Sequence, residues 1–251
     1  MQVLSLVALL AAAVPQPKTL LTSGPVKLLE LVAEKPVPFK PKGAEVIVVV
    51  EGTAQVPLQP GGELLKAGDS LFAPAPKDWW LTPQPKVRVV ILSLPTPANV
   101  TATTQRNEKD TVHYRMLGGQ GEVALVLDKG VVGTDAFSQQ RLTLQPGAAV
   151  PPHQHKGSVE IIYVVSGKTE VTLEGKAKTL GPGEAIALPA GEQHAAKVVG
   201  TEALQLVQFY VPGGPEQRFR GSSGGASPGA GAGAGGSGAP DGGVSGGSRP
   251  R

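Results

Sequence analysis

Three histidines and a glutamate concentrate the chemistry available to this 251-residue chain. His153 and His155 stand one residue apart in PPHQHKGSVE, residues Pro151 to Glu160, and Glu160 closes the stretch. On an extended strand, side chains two positions apart share a face, so both imidazoles point the same way. Glu160 follows the KGSV turn, where a returning strand could bring its carboxylate back beside the rings. His194 comes just after the turn Pro189-Ala190-Gly191 and could close the set. Nitrogen and oxygen donors without a thiolate suit one divalent transition metal: Mn, Fe, Co, Ni, Cu or Zn. Three imidazoles and a carboxylate leave coordination positions open for water, substrate or dioxygen, the minimum for Lewis-acid or redox catalysis. The competing reading is a solvated polar turn with an unrelated loop histidine, and HxH alone does not separate the two. The fourth histidine, His113, belongs to no motif and is read as solvated or structural.

The elements that must position these side chains are short and strand-like. Apolar runs at Lys27–Val32, Val46–Val50, Val87–Leu94, Val123–Leu127 and Gln139–Leu144 precede others at Ile161–Val165, Thr169–Leu173, Ala185–Leu188 and Leu204–Val211. Gly and Pro separate them, and no helical period is sustained, which argues for an all-β barrel or sandwich. A repeat sharpens this. GAEVIVVVEGTAQV (Gly43–Val56) is similar to GSVEIIYVVSGKTEV (Gly157–Val171). A constant offset of 115 residues places Glu45 on Glu160, Gly52 on Gly167, Gly68 on Gly183 and Pro74 on Pro189. The chain therefore reads as two copies of one β-unit, residues 20–97 and 112–220, joined by the polar segment 98–111. The same offset puts Pro38 and Lys40 at the two histidine positions and Trp79 at the last, so three of the four ligands are missing from the first copy. Trp79 is expected to fill that interior with apolar area. Lys40 is expected either to pair with Glu45 or to extend into water.

Written out, the second copy runs Gly147, five residues, His153-Gln154-His155, four residues, Glu160, six residues, Gly167. It continues with Gly183, five residues, Pro189-Ala190-Gly191, two residues, His194. This pattern resembles the two motifs of the cupin superfamily, departing only where Val198 stands in place of Asn. The resemblance implies two tandem jelly-roll β-barrels, the first degenerate and the second binding a divalent metal through His153, His155, Glu160 and His194. It also implies a metal-dependent enzyme of oxidoreductase, dioxygenase or decarboxylase type acting on a small oxygen-rich substrate. A non-catalytic metal- or ligand-binding cupin and a Lewis-acid isomerase are the alternatives. No acidic lid motif of the decarboxylases is recognisable, and no general base stands out beyond the ligand set.

Around the metal, Ile162 and Val164 are expected to face inward with Glu160, making an apolar wall. On the Gln139–Leu144 strand the lining set is either Gln139, Arg141 and Thr143 or Gln140, Leu142 and Leu144. Gln205 or Gln208 could add a polar contact.

Composition bounds the rest. The net charge is only +3 and the basic residues are dispersed, unlike a nucleic-acid footprint. The absence of cysteine excludes disulfides, thiolate metal sites and thiol nucleophiles. The apolar run Val3–Val14 is too short to span a bilayer but suits a secretory leader at residues 1–14, although no basic residue precedes it. Export to a secreted or periplasmic location follows as an expectation. Residues 221–251 hold nothing apolar larger than Val244 and read as a disordered Gly/Ser/Ala/Pro tail. The partners expected are a small-molecule substrate or ligand, with no nucleic acid and no stable membrane insertion, a homodimer being left open.

Overall fold

In the computed structural model the described chain comprises residues 15–57 and 62–220, so the leader and the Gly-rich tail lie outside it. Strands β1 (Lys18–Ser23), β2 (Val26–Ala33), β3 (Val37–Phe39), β4 (Ala44–Val56), β5 (Glu63–Lys66), β6 (Asp69–Ala73) and β7 (Trp79–Leu94) build the first unit. Strand β8 (Thr104–Asn107) arises from the connecting segment and pairs with β6. The second unit comprises β9 (His113–Met116), β10 (Gly121–Leu127), β11 (Ser138–Leu144), β12 (Ala149–His153) and β13 (Val159–Ser166). It continues with β14 (Thr169–Leu173), β15 (Lys176–Leu180), β16 (Ala185–Leu188), β17 (His194–Val198) and β18 (Leu204–Val211), then the short 3-10 turn Pro215–Phe219.

The second unit is a jelly roll of two sheets, ordered β16-β13-β18-β11-β10-β9 and β12-β17-β14-β15. In the first unit the same layout is drawn with longer strands. Strands β4 and β7 run continuously through both layers, pairing with β6 and β2 on one side, where β1 adds to β2 at the edge, and with β5 and β3 on the other. The turn between layers explains the matched glycines. Gly167 sits between β13 and β14 at φ +75°, and an added Cβ would lie 2.6 Å from the Ala203 carbonyl oxygen. Gly52, its counterpart in β4, sits at φ +78° with the Lys86 carbonyl oxygen 2.0 Å from the same virtual atom. Only glycine meets both demands.

The apolar runs are continuous rather than alternating because both faces of the central strands are buried. Ile47, Val49 and Ile91 pack inside the first barrel, and Ile162, Val164 and Leu204 inside the second. Val46, Val48, Tyr163 and Phe209 face the other way, into a core that includes residues of both units. Phe72 meets Phe137 across that core at 4.9 Å between ring centres, and the Tyr163 hydroxyl donates to Glu30 at 2.6 Å. The two units are thus two tandem jelly-roll barrels packed sheet against sheet. No described helix is long and apolar enough to cross a membrane.

The strand pairing corrects one correspondence. His153 lies opposite His194, whereas Phe39, not Pro38, lies opposite Trp79. The first copy is one residue shorter between this strand and its glutamate, so the constant offset fails there. Phe39 and Trp79 stack at 4.0 Å and 3° where the second unit places two imidazoles. The alternative in which Lys40 pairs with Glu45 is also overturned. Lys40 is exposed and within 4 Å of no described carboxylate, while the Trp79 indole donates to Glu45 at 3.0 Å. Extension into water is cheaper for a Lys side chain than burial of its ammonium.

Candidate metal centre

His153 ends β12, His155 follows in the turn, Glu160 is the second residue of β13, and His194 opens β17. Antiparallel pairing of β12 with β17 sets His153 against His194, and β13 returns Glu160 to them. One ligand atom from each of the four lies within 4.8 Å of all the others. His155, Glu160 and His194 are buried and His153 is half-buried. His153 and His194 use Nδ1 on the backbone carbonyls of Pro151 and Glu192, each at 2.9 Å. This fixes their tautomer and leaves Nε2 as the donor nitrogen.

Glu160 Oε2 lies 2.9 Å from His155 Nε2 and 3.2 Å from His194 Nε2. Its other oxygen accepts from the Gln208 amide. Burial alone would raise the Glu160 pKa, but the hydrogen bonds and charges of His155 and His194 override it and hold the carboxyl well below the usual range. His153 is shifted down, chiefly by burial. For His194 burial also pulls down, but the Glu160 carboxylate outweighs it and the net shift is upward. Three imidazole nitrogens closing on one carboxylate oxygen, with the outer ring nitrogens of two spent on carbonyls, fit a divalent transition metal.

The cavity beside these residues is walled by Met116, Leu142, Ile162, Val171, Leu188 and Leu206 and encloses about 30 Å³ of free space. The inward set on β11 is therefore Gln140, Leu142 and Leu144. Gln140 is fully buried with both side-chain polar atoms unpartnered, and it lies opposite Gln208 in the β11–β18 register. Gln205 is exposed, so Gln208 is the glutamine that serves the site. The Tyr210 ring meets the His155 ring edge-on at 4.9 Å. His113 stands elsewhere, joining Glu122 at 2.7 Å and the Glu108 carbonyl at 2.8 Å.

One lining residue escaped sequence reasoning. Arg218 reaches the cavity from the 3-10 turn Pro215–Phe219, and its guanidinium donates to the Tyr210 hydroxyl at 3.3 Å. The turn is held by Glu216, which accepts from Ser138 Oγ at 2.8 Å and the Gly214 amide at 2.6 Å. Residue 218 follows the last strand in an unpatterned stretch, so only the tertiary fold brings it to the metal side.

The family model described as "Cupin domain" matches residues 140–210, which hold both motif halves up to β18. An oxalate-binding protein of Thermotoga maritima is 31% identical over 98 residues, 38% of this chain and 81% of that one. A quercetin 2,3-dioxygenase of Bacillus subtilis is 32% identical over 120 residues, 45% of this chain but only 35% of that protein. The chain thus spans about a third of that dioxygenase's length. Among solved structures, a variant oxalate decarboxylase of Bacillus subtilis superposes with a TM-score of 0.61 at 14% identity, covering 75% of this chain and 69% of that chain, a likeness of fold alone. The protein belongs to the cupin superfamily, and it is bicupin-like, with the metal-ligand pattern intact in its second barrel and replaced in its first.

Proposed function

We propose that the second barrel is the active site of a metal-dependent enzyme acting on a small, oxygen-rich anion of oxalate size. The observation that carries this reading is the convergence of His153, His155, His194 and Glu160 on one buried point beside the Arg218 guanidinium. A divalent metal held by those four would supply Lewis acidity and, for a redox-active ion, electron transfer. The chain does the rest. The carbonyls of Pro151 and Glu192 orient two imidazoles, Gln208 holds Glu160, and the apolar walls exclude water. Arg218 offers a charge-assisted hydrogen bond to a substrate oxygen, and Gln208, which also lines the cavity, has a carbonyl oxygen with no partner of its own. The small free space favours the smallest substrates over flavonol-sized ones. The relative named for oxalate binding supports the same choice. Export belongs to this proposal too and rests on the leader sequence.

A second reading, binding without turnover, is favoured by one feature. Apart from the proposed ligands, Arg218 is the only ionisable side chain lining this cavity among the described residues, and an arginine is a poor proton carrier. Oxygen uptake and carbon dioxide release, measured on metal-loaded protein with oxalate, a flavonol, a diketone and a sugar, separate the two. Turnover of oxalate or a similar small acid is the expected result, and Arg218→Met should raise its KM by about 10- to 100-fold, the worth of a charged hydrogen bond. Tight binding of oxalate with no product would replace the enzyme by the binding protein. Indifference to every compound would remove both.

A further inference from the structure

We infer that the first barrel carries a second, metal-free site that binds a small carboxylate with an apolar body. The open end of this barrel holds a groove of about 440 Å³, with Leu29, Phe39 and Leu94 along its wall and the Glu45 carboxyl, only 4% exposed, at its base. Lys27, Lys40 and Lys42 line it as well. All three are exposed, and none makes an ion pair with a described carboxylate. Three unpaired ammonium groups around one buried carboxyl leave the groove with an excess of positive charge, which selects an anion.

Comparison of the two units shows what opens the groove in the first. Glu45 on β4 lies opposite Ser93 on β7, and Ser93 lies opposite Lys27 on β2, so the three form one row on a single face. The matching row in the second unit is Glu160, Tyr210 and Ser138. There the Tyr210 ring fills the space, and the turn Pro215–Phe219 is fastened over Ser138 by Glu216. The first unit has a serine in place of the ring and a lysine in place of the serine. At the far side, Phe39 and Trp79 close the position that two imidazoles occupy in the second unit, and Trp79 ties back Glu45. A ligand entering from the open end thus meets cations at the rim, a hydroxyl and apolar side chains on the wall, and the Glu45 carboxyl at the base.

Carboxylate is the anion that fits. Among the described residues no helix N-terminus lines the groove, and the residues around it offer side-chain donors rather than the nest of backbone amides that favours phosphate. The apolar wall needs a hydrocarbon body to cover it. Burial raises the Glu45 carboxyl to about 7, with the Trp79 hydrogen bond pulling the other way, so at neutral pH it is substantially protonated and can donate to an anionic oxygen rather than repel it.

The chain contains two tryptophans, Trp79 and Trp80, and both lie in this unit, so their emission reports this site and not the metal centre. Cyclohexanecarboxylate titrated into the full-length protein should change that emission saturably. Cyclohexylmethanol, the neutral analogue, and inorganic phosphate should each bind at least about tenfold more weakly, the loss of a charged contact. The exposed pair Lys27→Met and Lys42→Met should weaken the acid by at least about tenfold without altering the fold. Ser93→Tyr, which copies the second unit's ring, should abolish the response. No saturable response in the native protein overturns the inference. So does equal affinity for the alcohol or for phosphate, or binding that survives unchanged in both variants.

Discussion

At the residue scale, the ring orientation of His153 and His194 is set outside the site, by carbonyls two residues back in the chain. Glu160 has no such backbone tether. Its free oxygen is held by Gln208, whose own carbonyl oxygen is buried without a partner. Gln208→Leu keeps the volume roughly constant and removes that hold. Metal affinity should fall by about 10- to 100-fold, the usual cost of losing a partner behind a ligand, with the far-ultraviolet spectrum unchanged. Competition titration against a chelating dye measures it, and an unchanged affinity would mean that Gln208 does not position Glu160. These four side chains were legible in the sequence because HxH, Glu and His keep fixed spacings from glycines that the backbone requires. Arg218 was not, because its place depends on how the turn after β18 folds back over Ser138.

At the scale of elements, a strand that bends between two layers needs a residue that tolerates both positive φ and a close neighbour. Gly167 is that residue in the second unit. Gly167→Ala should cost about 1–3 kcal/mol of stability from the backbone conformation alone, before any clash with the Ala203 carbonyl. Denaturant unfolding reads the loss, and a change below about 0.5 kcal/mol, the size of an ordinary surface effect, would show that the bend is less constrained than described. The strands easiest to read were those buried on both faces, as in VIVVV and IIYVV. Strand β12 was harder, because AVPPH carries two prolines and, among the described residues, pairs only with β17, across a register shift between Val150 and His153. Prolines fit such a sheet edge, where an N–H would go unused. The one-residue shift at Phe39 was hidden for another reason. Turn length can change without disturbing the glycines on either side.

At the scale of the whole molecule, the two barrels share one interior core but answer the same buried glutamate differently. In the second unit the imidazoles of His155 and His194 stand 2.9 Å and 3.2 Å from it. In the first, Glu45 has an indole hydrogen bond, and burial lifts its pKa from 4.5 to about 7. The folded protein thus holds this proton more tightly than the unfolded chain does. Its stability contribution is fully present below pH 4.5 and is lost as pH rises through about 7. The loss is at most about 3 kcal/mol, since each tenfold gain in proton affinity is worth about 1.4 kcal/mol. Glu45→Gln keeps an acceptor for Trp79 and removes the titration. Its unfolding free energy should fall less than that of the native chain between pH 5 and pH 8, and an equal fall in both would contradict the assignment.

Every chemical role assigned to the second barrel depends on its holding a metal. Elemental analysis of the purified protein, after exhaustive dialysis against metal-free buffer and reloading with one divalent ion at a time, tests this most directly. The predicted result is one tightly held transition-metal ion per chain, lost in a His153→Ala, His194→Ala double variant that remains folded. No retained metal in the native protein, or equal retention in the variant, would contradict it.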